Sequence, residues 1–219
     1  IVYLLIEFLE YKNIFAFEKS KLLKGKASPV MGSLFGSVPQ CGFSVSATTR
    51  APREGEVDGR DYLFVTRERF EQMIEQGELL EHTYFNKNYY GTPKAPVDTL
   101  VEQGKVVILE IEVDGAEQVM NFFDPRDIIS VFISPPDYET LEARLRGRGT
   151  NTEDDIRERL ERAKVELEYS KLYQHILINY DNRSEEVTSA IVGLVNGHNL
   201  NGLDIYCESA EALRVKFYK

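Results

Sequence analysis

The chain has 219 residues, with 36 acidic against 26 basic side chains and a formal net charge of −10. That length is enough for one full hydrophobic core with a small inserted subdomain, and the acidic balance argues against a protein that coats nucleic acid with a basic face. Only Cys41 and Cys207 occur, so a disulfide framework is not expected and a reducing cytoplasmic setting is.

The apolar start, Ile1 to Phe15, is broken by Glu7 and Glu10. It therefore fits neither a membrane span nor, without a basic leading segment or small-residue cleavage site, a signal peptide. A start at Ile1 rather than Met reads as a fragment, a processed product or an incomplete frame. Two short runs, Val2 to Ile6 and Ile14 to Phe17, each have the length of a buried strand. Glu18 to Ser28 is a basic stretch, and Met31 to Gln40, with Gly32, Gly36 and Pro39, lacks a helical pattern.

Phe43 to Ser46 alternates and reads as a strand. The loop after it concentrates cations, hydroxyls and a phenol. Arg50 and Arg53, stiffened by Pro52, suit an oxyanion with several negative oxygens, which guanidinium forks grip bidentately. Tyr62, beyond an acidic turn punctuated by Gly55 and Gly59, offers a neutral donor to the same group. Arg67 to Gln76 places Phe70, Met73 and Ile74 on one helical face and stops at Gly77. Glu81 follows, and soon after it Asn88, Tyr89, Tyr90, Gly91 and Thr92. A carboxylate beside a hydroxyl suits the Watson–Crick edge of guanine: the acid accepts from the N1 and N2 hydrogens while the hydroxyl donates to O6. Adenine presents the opposite pattern.

Pro96 to Gln103 is a short helix stopped by Gly104. The continuous apolar run Val106 to Leu109 suits a parallel strand buried on both faces. Ile128 to Ile133 is a second such run, closed by Pro135 and Pro136. Tyr138 to Arg146 is a helix, after which Arg144, Arg146 and Arg148 cluster before Gly149. Like charges packed together are costly until an anion arrives, as in a mobile lid. Thr152 caps the next helix with Asp155, and Ile156, Leu160, Ala163 and Leu167 form its buried stripe. Ile176 to Ile178 is a strand ending at Asn179, Ser184 to Val195 a closing helix, and residues 200–219 a short helical tail. His82, His175 and His198 have no ligand spacing with the cysteines, so no metal site is expected. This alternation predicts an α/β three-layer fold around a parallel sheet.

The segments VSATTRAPREGEVDGRDY, EQGELLEHTYF, NYYGTP, VILEIEVDGAEQV, the pair Pro135 and Pro136, LRGRGT and LINYD follow one another in that order. On them, the chain from Phe43 to about Asn199 resembles guanylate kinase, in particular its bacterial form. The resemblance implies a P-loop nucleoside monophosphate kinase domain over residues 43–199, with a GMP-binding subdomain at about 47–96 and a lid at about 144–160. A divergent segment, 1–42, would precede it and an extension, 200–219, would follow. The implied reaction moves the γ-phosphoryl group of ATP, carried with Mg2+, to GMP in purine nucleotide metabolism. Arg50, Arg53, Tyr62 and Tyr90 would hold the GMP phosphate, and Ser46, Glu81, Thr92 and Glu112 would meet the guanine. Arg50, Arg148 and Arg159 would be the catalytic cations, with Arg144, Arg148 and Asn179 on ATP. The resemblance leaves the oligomeric state open.

The family's glycine-rich phosphate loop, whose backbone N–H groups wrap ATP phosphates, has no clear counterpart. Only Gly25 and Lys26 echo it, which makes Lys26 the candidate phosphate lysine. Read literally, that gap implies an alternative: a guanylate-kinase-like module that holds GMP, or an acidic or phosphorylated peptide, without phosphorylating it. The first strand normally lies mid-sheet, so Ile14 to Phe17, or else Val2 to Ile6, is expected to fill its place.

Overall fold

The computed structural model describes residues 2–7, 12–17, 41–85, 87–111, 113–147 and 152–218. They form two units, one of described residues up to Ser130 and one from Val131 onward.

In the first unit the chain forms β1 (Val2–Glu7), β2 (Lys12–Phe17), β3 (Cys41–Phe43), β4 (Ala47–Thr48) and β5 (Leu63–Phe64). Next come α1 (Arg67–Glu75), β6 (Leu79–Phe85), β7 (Asn88–Pro93), α2 (Lys94–Glu102), β8 (Val106–Glu110) and α3 (Val113–Phe122). The unit ends inside β9 (Ile128–Ser134). Strands β2 and β3 both run parallel to β8. Val107 and Ile108 of β8 are fully buried, as an uninterrupted apolar run requires. Both amino-terminal runs enter the sheet. β2 lies parallel to β8 and meets β9 at Phe15 opposite Ile129, while β1 runs antiparallel to β2 and to β8, which makes the sheet mixed.

The strand expected at Phe43 to Ser46 lies earlier, at Cys41–Phe43. Ser44 still gives its N–H to the Ile108 carbonyl, but Ala47 already belongs to another sheet, so the residues between them cross from one sheet to the next. Gly42 fits because a Cβ there would lie 2.7 Å from the Leu100 side chain of α2.

The second sheet of this unit has the order β5-β4-β7-β6. α1 packs on it. Thr66 caps the helix by accepting from the Arg69 N–H, and Gly77 ends it with φ of 64°. Phe70 and Met73 of α1 join Ala47 and Leu79 in a small core, where Phe70 stacks on Tyr89 at 5.2 Å.

In the second unit the last residues of β9 run parallel to β10 (His175–Ile178). Between them lie α4 (Tyr138–Arg146) and α5 (Glu153–Tyr169), and after them come α6 (Ser184–Val195), β11 (Tyr206–Cys207) and α7 (Ala210–Phe217). The capping box at Thr152 and Asp155 and the buried stripe Ile156, Leu160, Ala163 and Leu167 match the expectation. The tail does more than form a helix. β11 pairs antiparallel with β10, and the Ile205 carbonyl accepts from the Ile178 N–H at 2.7 Å. Leu213 and Phe217 of α7 are fully buried, each side chain contributing about 1.5–3 kcal/mol of burial.

Candidate functional site

The loop after β4 is tied to β7 by two threonines. Thr48 donates its hydroxyl to the Tyr89 carbonyl at 2.9 Å, and the Tyr89 N–H donates to the Thr49 hydroxyl at 2.9 Å. Thr48 also accepts from the Arg50 N–H, so the hydroxyls set where the arginine leaves the strand.

Arg50 then folds inward, its side chain only 13% exposed. Its Nη2 donates to both Glu56 oxygens at 2.8 Å and its Nη1 to the Ala51 carbonyl at 2.7 Å. The guanidinium carbon stands 5.5 Å from the centre of the Tyr62 ring and 5.7 Å from that of Phe64. Tyr62 in turn meets Tyr90 edge-on at 6.1 Å. The loop after β4 and strand β7 thus bring together Arg50, Tyr62 and Tyr90. Arg53 lies at the exposed rim, its N–H donating to Glu56 Oε2 at 2.8 Å.

Among the described residues Arg50 Nε, which is buried, has no hydrogen-bond partner. A buried donor on a cation is costly to leave unmade. Burial works against ionising Glu56, but the Arg53 N–H and the Arg50 guanidinium outweigh it and hold the carboxyl below its ordinary range. Sequence reasoning passed over Glu56 and the two threonines. In the chain they read as part of an acidic turn and as loop hydroxyls, and only the folded loop sets them against Arg50.

Farther along β7, register pairs Thr92 with Glu81 of β6. Glu81 is 3% exposed and Thr92 1%, and the Thr92 hydroxyl donates to Glu81 Oε1 at 2.6 Å. A carboxylate this buried is expensive unless polar groups meet it. The single Thr92 hydrogen goes to the acid, so in this arrangement the hydroxyl orients Glu81 rather than serving O6. Gly91 lets the two strands close up here: a Cβ on it would lie 2.7 Å from the Glu81 carbonyl oxygen. Ser46, expected beside the base, is held through its carbonyl, which accepts from the Leu63 N–H at 2.9 Å.

In the second unit, Arg144 and Asn179 come together: Arg144 Nη2 donates to the Asn179 carbonyl at 2.8 Å. Arg144 also grips Asp181 through Nε and Nη2, at 3.0 and 2.6 Å. Arg146 pairs with Glu142 and Glu153. These two arginines of the expected lid are therefore compensated by acids of their own unit. Arg159 is half-buried on α5. Lys26, Glu112 and Arg148 lie outside the described residues. Among the described residues no group of three or more His, Cys, Asp or Glu side chains is arranged to hold a metal ion, and no helix is long and apolar enough to cross a membrane.

The sequence model of the guanylate kinase family matches residues 22–192 of the chain. A guanylate kinase from Nostoc sp. is 47% identical over 152 residues, covering 69% of this chain and 75% of the relative. One from Cereibacter sphaeroides is 46% identical over 143 residues, 65% of this chain and 68% of the relative. Among solved structures, the guanylate kinase from Anaplasma phagocytophilum is similar with a TM-score of 0.65 and 27% identity, covering 87% of each chain.

Proposed function

The chain belongs to the guanylate kinase family, and from that premise we infer that it transfers the γ-phosphoryl group of ATP to GMP, giving ADP and GDP. A GMP phosphate oxygen forms the new bond to the γ-phosphorus, and the bond from that phosphorus to the bridging oxygen of ADP breaks. The protein does little covalent chemistry in such a transfer, so positioning and charge neutralisation carry the rate.

The buried Glu81–Thr92 pair carries the acceptor reading. Thr92 aims the acid, and Glu81 accepts from the N1 and 2-amino hydrogens of guanine, with Ser46 beside it. Arg50, Arg53, Tyr62 and Tyr90 hold the GMP phosphate: the guanidinium supplies charge, and the phenols supply neutral donors. Arg144, Arg159 and Asn179 serve the ATP side, and Arg148 and Glu112 complete the set that the family resemblance implies. Lys26 is its candidate phosphate lysine. Magnesium enters with ATP as part of the substrate, and the described residues offer no cluster of acids for a resident ion. The compartment that fits nucleotide substrates and a free, buried Cys207 is the cytoplasm.

A coupled assay of ADP release with GMP and Mg-ATP tests this reading. Arg50→Ala is expected to lower kcat/KM for GMP by about 10- to 100-fold, the worth of hydrogen bonds to a charged group. GMP binding by calorimetry with no turnover above the Arg50→Ala background would instead support the non-phosphorylating module. No GMP binding at all would sink the kinase and leave, of the alternative, only a module for acidic or phosphorylated peptides.

A further inference from the structure

Thr92 is not alone in fixing Glu81. Helix α3 brings Gly115 so close to the acid that a Cβ there would sit 2.3 Å from Oε2 and 2.9 Å from Cδ, distances that no side chain tolerates. Any other residue at 115 must displace the carboxylate. Glycine inside a helix is ordinarily a small loss relative to alanine, so the close approach gives it a reason to be there.

One turn further on the same helix, Gln118 reaches the residue next to Glu81. Its Oε1 accepts from the His82 N–H at 3.2 Å, and its Nε2 donates to the His82 carbonyl at 2.8 Å and the Asp114 carbonyl at 3.1 Å. Strand β6 is the edge of its sheet, and an edge strand leaves alternate N–H and C=O groups without a neighbouring strand. A single side-chain amide therefore does for His82 what another strand would do, and it ties the backbone beneath Glu81 to the helix that holds Gly115.

We propose that Gly115 and Gln118 are specificity-determining positioning residues. Gly115 leaves the space in which Glu81 Oε2 lies, and Gln118 locks the strand that carries the acid, so that both oxygens face the guanine edge at once. The proposal rests on the reading of Glu81 as the guanine-binding acid and deepens it. An acid free to swing still accepts from N1–H, which hypoxanthine shares with guanine. It loses the second bond, to the 2-amino group that only guanine has. The informative quantity is thus the ratio of kcat/KM for GMP to that for IMP, which a merely less stable protein leaves unchanged.

The experiment measures that ratio on the full chain with Mg-ATP, well below the melting temperature, for Glu81→Gln, Glu81→Asp, Gly115→Ala, Gln118→Ala and the double variant Glu81→Asp/Gly115→Ala. Gly115→Ala and Gln118→Ala are each expected to lower it by about tenfold, one charge-assisted hydrogen bond, mostly through KM for GMP. Asp withdraws the carboxylate from residue 115, so the double variant is expected to lose no more than Glu81→Asp alone. Gln118 is exposed, so its truncation leaves the core intact and keeps the test open should Gly115→Ala fail to fold. An unchanged ratio in Gln118→Ala and Gly115→Ala, or strictly additive losses in the double variant, would overturn the positioning role. If those two are silent while Glu81→Gln collapses the ratio, positioning alone is wrong. If Glu81→Gln itself leaves the ratio intact, the guanine reading falls and takes the proposal with it.

Discussion

Replacing Thr92 with valine keeps the shape and β-branching of the side chain and removes one hydroxyl. The bond lost is short, 2.6 Å, and charge-assisted, between two residues exposed by 3% and 1%. A hydrogen bond to a charged group contributes about 1.5–3 kcal/mol, and the upper end applies where the remaining partner stays buried. At about 2–4 °C per kcal/mol for a chain of this size, Thr92→Val is expected to melt roughly 3–12 °C below the parent. Removing both partners tests the cause. In Glu81→Met/Thr92→Val no buried carboxylate is left wanting a donor, so the double variant is expected to be more stable than the sum of the single losses predicts. Thermal unfolding of the four proteins followed by circular dichroism supplies the measurement. A Thr92→Val protein within about 0.5 kcal/mol of the parent, the range of an ordinary surface substitution, would refute the claim that the hydroxyl restrains a buried acid.

Two further outcomes follow from the second unit. Phe217 is 1% exposed and meets the Tyr138 ring edge-on at 6.0 Å; Phe217→Ala is expected to cost about 3–5 kcal/mol, and a loss under about 1 kcal/mol in urea titration would show the tail to be dispensable. Burial holds the His175 imidazole below its ordinary pKa, so the unfolded chain takes up the proton first. The stability due to neutral His175 is therefore complete above about pH 6.5 and is lost as pH falls toward the lower folded value. The slope of stability against pH just below 6.5 is expected to flatten in His175→Gln, and an unchanged slope would show that His175 is not its source.

Long periodic elements were legible in the chain. Tyr138–Arg146 and Ser184–Val195 form helices over the expected spans, because their apolar residues recur at helical spacing, and Asp137 caps the first of them. Short elements were not. Tyr206–Cys207 has two residues and no period to read, and it becomes a strand only because β10 offers an edge to pair with. At the candidate site, Arg50, Tyr62, Tyr90, Glu81 and Thr92 stood out by chemical type. Glu56, Gly115 and Gln118 did not, because their roles depend on distances across the fold: an acid in a turn, a glycine in a helix and an exposed glutamine are each ordinary in sequence.

Glu56 also bears on how a chain with a net charge of −10 takes anionic substrates. Exposed charges more than about 10 Å away are largely screened at 0.1 M salt, so the total matters less than what lies within a few ångströms of the phosphate. A guanidinium as buried as Arg50 would cost several kcal/mol if left alone. The bond pair at 2.8 Å to Glu56 offsets that cost and, with the Tyr62 and Phe64 rings on its flank, leaves the arginine few ways to turn. The hydrogen on Nε, which has no partner among the described residues, is then held in a set direction. The acid beside the arginine proposed to hold the GMP phosphate thus gives up some local positive potential in return for geometry, which is the term that phosphoryl transfer depends on most.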